Sequence, residues 1–367
     1  MKLARLFSLA LLSGLLLLPA CDGGGGGTDG GGGTPDGGDE CTAGAETSCT
    51  EHFHCKARSV CEEDRGGTIC NLADRGGDGM CTFESLAIPG SGDFEVPDVS
   101  CYATPATPAG PAMVNFRGCV DVFGLDLDTS GGLVVTVYRM SDGATGTPLG
   151  TATSDVDSAF TGLNCSNGGA FDLGAEVVPT NTTLIVKVTD ATGEFADTYE
   201  YGVVLRADRA AADPAGLQAI EEPATVIAVS TYQVFPQTAG ISAGIDGADD
   251  LTDGVGRAAL AGTISACNRR EMANIIVEID GMDASRIVDS EAGVEGRLAF
   301  TDGNENPDVR RSATNIDGVF AAINIKAGTR TLTLKHTLNG TVETLATYTV
   351  PVFPDSVTLF SPQGALP

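Results

Sequence analysis

Thr314-Asn315-Ile316-Asp317-Gly318-Val319-Phe320, then Lys326-Ala327-Gly328 and Thr331-Leu332-Thr333-Leu334-Lys335, is the stretch that decides the fold. Asp-Gly and Ala-Gly are turn dipeptides, because glycine reaches backbone conformations closed to other residues. The segments around them alternate in polarity and are rich in β-branched residues, as half-buried strands are. The stretch therefore reads as turn, strand, turn, strand.

Similar runs recur on either side: Leu133 to Tyr138, Thr183 to Thr189, Tyr199 to Arg206, Ile275 to Ile279, Thr331 to His336 and Leu345 to Phe353. Turn signals separate them, among them Ser141-Asp142-Gly143, Asn167-Gly168-Gly169, Asp280-Gly281 and Asn339-Gly340. Short alternating strands at this spacing argue for antiparallel sandwiches. The runs also fall into two copies. Gly118-Cys119-Val120, Leu133 to Tyr138, Thr153 to Phe160 (TSDVDSAF), Thr183 to Thr189 and Tyr199 to Leu205 make the first. Gly262-Thr263-Ile264, Ile275 to Ile279, Thr314 to Phe320 (TNIDGVF), Thr331 to Lys335 and Tyr348 to Phe353 make the second. Matching order and spacing make an internal repeat. Between them Asp213 to Glu222, which follows an Asp-Pro start and ends before Pro223, is expected to be a helix joining the halves.

The second copy resembles the carboxypeptidase regulatory-like domain, a transthyretin-type seven-stranded β-sandwich whose recurring piece is Thr-(x)-Asp-Gly-x-Phe followed by a Pro/Ala-Gly turn and a strand. The first copy departs from that piece, with Ser158 in place of the turn glycine and an insertion around Cys165. The resemblance covers roughly residues 112 to 205 and 256 to 355. It implies spacers, adhesive modules or folding accessories, and no chemistry of its own.

The start of the chain sets the compartment. Lys2 and Arg5 precede an apolar run from Leu6 to Leu18. As a helix that run would rise roughly 20 Å, too short for a hydrocarbon core of about 30 Å, so it reads as a cleaved signal. Leu18-Pro19-Ala20-Cys21 resembles the lipobox of bacterial lipoproteins, which implies cleavage before Cys21 and acylation of its thiol (palmitate or similar chains). Asp22 to Glu40, with 11 glycines in 19 residues, cannot bury anything. It is expected to be a flexible tether spanning about 24 Å.

Removing Cys21 from the 11 cysteines leaves an even set: Cys41, Cys49, Cys55, Cys61, Cys70, Cys81, Cys101, Cys119, Cys165 and Cys267. In an exported chain these are disulfide candidates. The first six crowd a polar, Gly-rich stretch too poor in apolar residues to fold without cross-links. If they pair among themselves, Cys267 is alone in the second sandwich and bridges between domains or stays free. The absence of any C-x-x-C leaves no redox dithiol or zinc ribbon.

The fold class expected is mainly β: two tandem immunoglobulin- or transthyretin-like sandwiches after a small disulfide-rich module and a disordered Gly-rich tether. The domains are a signal peptide at 1–20, the lipidated cysteine and linker at 21–40, a Cys-rich module at 41–95, sandwich 1 at 96–212, a linker at 213–224 and sandwich 2 at 225–367.

Charge and residue types limit the function. The formal net charge of −28 becomes more negative once Lys2 and Arg5 leave with the signal, which disfavours nucleic acid as a partner. With three histidines, two of them (His52 and His54) between Cys49 and Cys55 and the third (His336) in a strand, and with no G-x-S-x-G or H-E-x-x-H, the chain does not read as an enzyme. No cofactor is required. Calcium is the candidate metal, at Asp302, Asn304, Asn306 and Asp308, whose side-chain oxygens alternate as in hard-cation loops. Pro307 and Ala313 at the twelfth loop position depart from an EF-hand. Asp246, Asp249, Asp250 and Asp253 read as a solvated loop. The expected role is a noncatalytic envelope lipoprotein, lipid-anchored on the outer membrane, presenting its sandwiches to an envelope protein or polysaccharide. The alternative is a carbohydrate- or cell-wall-binding module, against which the absence of Trp counts.

Overall fold

A computed structural model describes residues 45–48, 59–62, 69–72, 80–81, 98–123, 130–155, 163, 165, 169–238, 257–272, 275–282, 287–291, 294–301, 307–308, 313–314, 317–338 and 341–367. Four short strands belong to the Cys-rich module: β1 (Ala45–Ser48), β2 (Ser59–Glu62), β3 (Ile69–Leu72) and β4 (Met80–Cys81). They form one sheet in the order β2-β3-β1-β4.

The first half of the repeat contains β5 (Met113–Phe123), β6 (Val134–Arg139), β7 (Gly150–Thr153), β8 (Ala170–Asp172), β9 (Val178–Pro179) and β10 (Thr183–Thr189). It continues with β11 (Phe195–Ala196), β12 (Thr198–Val204), β13 (Ala211–Ala212), β14 (Gln218–Glu221) and β15 (Ala224–Ala228). A single α-helix among the described residues, α1 (Val229–Thr238), follows. The second half contains β16 (Arg257–Thr263), β17 (Ile276–Ile279), β18 (Ile287–Glu291), β19 (Val294–Thr301) and β20 (Pro307–Asp308). It ends with β21 (Val319–Lys326), β22 (Gly328–Leu338), β23 (Thr341–Val352) and β24 (Val357–Leu359).

Each half is a two-layer sandwich. In the first, β6, β10 and β12 pack across a core of Val114, Phe116, Val122, Leu133, Val135, Phe171, Leu184 and Val186 onto β5 and its neighbours. In the second, β17, β22 and β23 pack across Leu260, Phe300, Phe320, Val277, Leu332 and Leu334 onto β16, β19 and β21. The strands expected at 133–138, 183–189, 199–206, 275–279, 331–336 and 345–353 are all present within a residue or two of those bounds or inside longer strands.

The TNIDGVF element shows why its residues are what they are. The buried Thr314 hydroxyl donates to the Met272 carbonyl at 2.8 Å and accepts the Ile275 N–H at 3.0 Å, tying two loops together. Asp317 accepts the Val319 N–H at 3.2 Å and the Thr301 hydroxyl. Gly318 has φ +66°, and a Cβ there would lie 2.5 Å from the Ile264 carbonyl oxygen. Phe320 fills the core.

In the first half the same bonds are made by Ser154, which donates to the Ser130 carbonyl and accepts the Leu133 N–H at 3.0 Å. Ser154, rather than Thr153, is therefore the counterpart of Thr314. The expected counterpart of Phe320, Phe160, lies outside the described residues, and its place is taken by Phe171. Phe171 stands opposite Gly118 on β5 as Phe320 stands opposite Gly262 on β16. The insertion around Cys165 moves the aromatic residue further along the chain, so sequence order and spatial equivalence part there.

The expected helix over Asp213 to Glu222 is a correction. Asp213 begins a turn, accepting the Leu217 N–H at 2.9 Å, with Gly216 at φ +84°. Gln218–Glu221 then runs as β14, parallel to β5, burying Ala219 and Ile220. Pairing with β5 outweighs a start signal that serves a turn equally well.

Candidate functional site

The two sandwiches are joined by strand sharing. β24 lies between β16 and β12 and is parallel to both, so one ten-stranded sheet runs from β18 in the second half to β7 in the first. Gly202, at φ +81° in the bulge of β12, leaves room for the Phe360 ring, which a Cβ would approach to 2.7 Å. Tyr199 stacks on Phe353 with centroids 4.0 Å apart. The Cys101–Cys267 disulfide, across 166 residues, binds the segment before β5 to the second half. There Tyr102 is buried in the second core, and its hydroxyl donates to the Ser265 carbonyl at 2.7 Å. Cys267 is thus a bridging cysteine. Cys119–Cys165 forms a second bridge, within the first half.

At this seam lies a cleft of about 720 Å³, within the range of small-ligand sites. Strand alternation builds its floor. On β5 and β15, Val120, Val122, Ala224 and Val226 point into the first core. Their neighbours Asp121, Phe123, Thr225 and Ile227 line the cleft in register, Asp121 opposite Thr225 and Phe123 opposite Ile227. On β12 Glu200 pairs with Leu359 of β24. Phe123, Ile227 and Leu359 belong to a small apolar cluster between the sandwiches.

Charged side chains line the cleft. Glu222 accepts hydrogen bonds from Arg209 and Arg269, each at 3.2 Å, one arginine from each half. Arg206 pairs with Asp208 at 2.7 Å. Glu200 accepts the Thr225 N–H at 2.6 Å. Burial first, then the charges of Asp121 and Glu222, push its carboxyl up to about 7 against the Thr225 hydrogen bonds. Asp121 is raised as well, by burial. A carboxyl raised to about 7, as Glu200 is, can take up or give a proton near neutral pH.

Cys21, Cys41, Cys49, Cys55, His52 and His54 lie outside the described residues, as do Asp302, Asn304, Asn306 and the acidic cluster at 246–253. Asp308 stands on β20 opposite Phe300. Cys61 and Cys70 are opposite each other on β2 and β3, and Cys81 pairs with Ala45. His336 is buried on β22 across from Glu343, and burial lowers its pKa. Among the described residues no group of three or more His, Cys, Asp or Glu is arranged to hold a metal, and no helix is long and apolar enough to cross a membrane.

The residues that make the cleft were not singled out in the sequence. Asp121 and Glu200 were visible only as acids at alternate positions in apolar strands, the usual mark of a solvent-facing side. That these sides face a second sandwich follows from β24, which sequence periodicity does not place.

No family model matches the chain, and no curated protein matches it. Solved structures overlap it weakly. The TIE protein of Bacillus anthracis is 10% identical over 69% of this chain, with a TM-score of 0.20, and the chain spans only 34% of that protein. A proposed carbohydrate-binding protein from Bacteroides uniformis is 10% identical over 66% of this chain and 100% of its own, with a TM-score of 0.18. The SpaE basal pilin of Lactobacillus rhamnosus GG is 10% identical over 64% of this chain and 90% of its own, with a TM-score of 0.20. At such scores these proteins assign neither a family nor a function.

Proposed function

We propose that the protein is a noncatalytic envelope lipoprotein, anchored through Cys21 to the outer membrane, that holds two carboxypeptidase regulatory-like sandwiches out from the membrane as one rigid unit for adhesive or structural contact. The observation that carries the reading is the seam, where a shared strand and the Cys101–Cys267 bond join the two modules. Modules joined in this way suit presentation. Disulfides persist in oxidising compartments, which fits an extracytoplasmic location. Calcium on Asp302, Asn304, Asn306 and Asp308 would be an accessory that raises the melting temperature, removable with EDTA.

The test compares wild-type chain with Cys21→Ser in cells. Wild type is expected in the membrane fraction, labelled by radioactive fatty acid and cross-linked to an envelope component. Cys21→Ser is expected to lose the label, the membrane fraction and the cross-links. Turnover of ester, glycoside or peptide substrates by the purified chain would overturn the noncatalytic reading. Specific signals on a glycan array or with peptidoglycan would move it to the wall-binding alternative.

A further inference from the structure

The two described bridges are nested. Cys119–Cys165, across 46 residues, lies inside the span of Cys101–Cys267, across 166. Every other cysteine of the chain is nearer to Cys101 in sequence than Cys267 is, and Cys119 and Cys81 are only 18 and 20 residues away. In an unfolded chain the chance that two residues meet falls as roughly the 3/2 power of the length between them. Cys101 therefore meets Cys119 about 30 times as often as it meets Cys267. Oxidation that outruns folding ties Cys101 to a wrong partner.

Folding brings the right partner late. Cys101 reaches Cys267 where Tyr102 is buried in the second core, among Leu260, Phe320 and Phe360. That place is built from residues far along the chain. The Tyr102 hydroxyl donates to the Ser265 and Pro362 carbonyls at 2.7 and 3.1 Å. The Cys101 carbonyl accepts the Ala365 N–H at 2.8 Å, and the Asp98 carbonyl accepts the Cys267 N–H at 2.9 Å. Cys119 needs only the first half, where it stands on β5 opposite Ala170. The bond that joins the sandwiches thus waits for a core that its nearest competitors do not require.

We propose that the Cys101–Cys267 joint is made by rearrangement of earlier, wrongly paired bonds, and that the chain is a substrate of a thiol–disulfide isomerase. The step conserves bonds. Starting from Cys101–Cys119 and Cys165–Cys267, the isomerase thiolate attacks the Cys119 sulfur and releases the Cys101 thiolate. Cys101 then attacks the Cys267 sulfur and displaces the Cys165 thiolate. Cys165 attacks Cys119 in the mixed disulfide, and the isomerase thiolate leaves. Two disulfides become two disulfides, and no oxidant is consumed after the first pairing. The inference goes beyond the scaffold role and does not depend on the lipid anchor.

Oxidative refolding of the reduced, full chain tests it in three arms: oxidised glutathione alone, glutathione with a purified protein disulfide isomerase, and glutathione with that isomerase carrying serines for its active-site cysteines. Samples are quenched with N-ethylmaleimide and cut with trypsin and a glutamate-specific protease. Cleavage at Glu95, Arg117, Arg139 and Arg257 places Cys81, Cys101, Cys119, Cys165 and Cys267 on separate peptides for mass spectrometry. With glutathione alone, Cys101 is expected first in wrong pairs, Cys101–Cys119 foremost. The active isomerase is expected to speed the appearance of Cys101–Cys267 at least tenfold, and the serine form to match glutathione alone. Native pairing that predominates from the first samples without isomerase overturns the proposal. So does an equal rate with the active and serine forms, which would leave the isomerase no part in thiol exchange.

Discussion

In the first sandwich the glycine-bearing strand β5 finds its parallel partners, β14 and β15, inside its own half, whereas in the second the equivalent strand β16 takes β24, which also belongs to the first half through β12. The local devices are the same on both sides. Gly118 faces the Glu222 carbonyl and the Phe171 ring, and Gly262 faces the Phe360 carbonyl and the Phe320 ring. Ser154 and Thr314 make matching pairs of bonds. What differs is the ownership of one terminal strand. Two copies of one design become a single body by lending an edge, and the lent edge also creates the cleft.

The largest expected effect breaks the joint itself. The double variant C101S/C267S opens a cross-link spanning 166 residues, and loop-closure entropy predicts a loss of about 5 kcal/mol. Urea unfolding with probes in each half is expected to show the second half, which holds Tyr102, losing more.

Next come the paired glycines. A Cβ would lie 2.0 Å from the Glu222 oxygen in Gly118→Ala and 1.9 Å from the Phe360 oxygen in Gly262→Ala. Each is expected to cost about 3 kcal/mol, since a backbone atom must give way. Hydrogen exchange separates them: Gly118→Ala is expected to loosen the first half, and Gly262→Ala both halves, through Phe360 and β24.

Glu200→Gln measures the seam's electrostatics. Its folded pKa of about 7 lies above the ordinary glutamate value of 4.5, so the native state holds the proton more tightly. The stability this gives is complete below pH 4.5 and is lost as pH rises through 7. At pH 8 the variant is expected to be more stable than wild type by up to about 3 kcal/mol, and at pH 4 equal to it. Guanidinium midpoints at both pH values check this.

The smallest change sharpens the equivalence. Thr314→Val and Ser154→Ala each remove a hydroxyl that serves two buried backbone groups, at an expected cost of about 1–2 kcal/mol. Similar losses by thermal unfolding would uphold the equivalence of the two positions, and a large inequality would break it.

Strand positions were legible because alternation encodes which side of a pleat is buried, and the runs around 183–189 and 331–336 carry that pattern plainly. The bridging role of Cys267 was also readable as one of two alternatives, from its isolation in the second copy. Three things were not legible. Ser154 does the work of threonine with the same hydroxyl one residue along, Phe171 replaces an expected aromatic across an insertion, and Asp213-Pro214 starts a turn as well as it would start a helix. The cleft was hidden for a deeper reason. Its acids follow the pattern of a solvated face, and only a contact between strands far apart in sequence turns that face inward.

The Cys101–Cys267 bond also decides how the protein carries load. Tension drawn on the chain before Cys101, against an attachment beyond Cys267, travels through one covalent bond into the second sandwich. The first sandwich, β5 to β15, then hangs beside the line of force as an unstressed branch. Reducing that bond would put the whole of residues 102–266 in series with the pull, turning a short stiff link into a long extensible one.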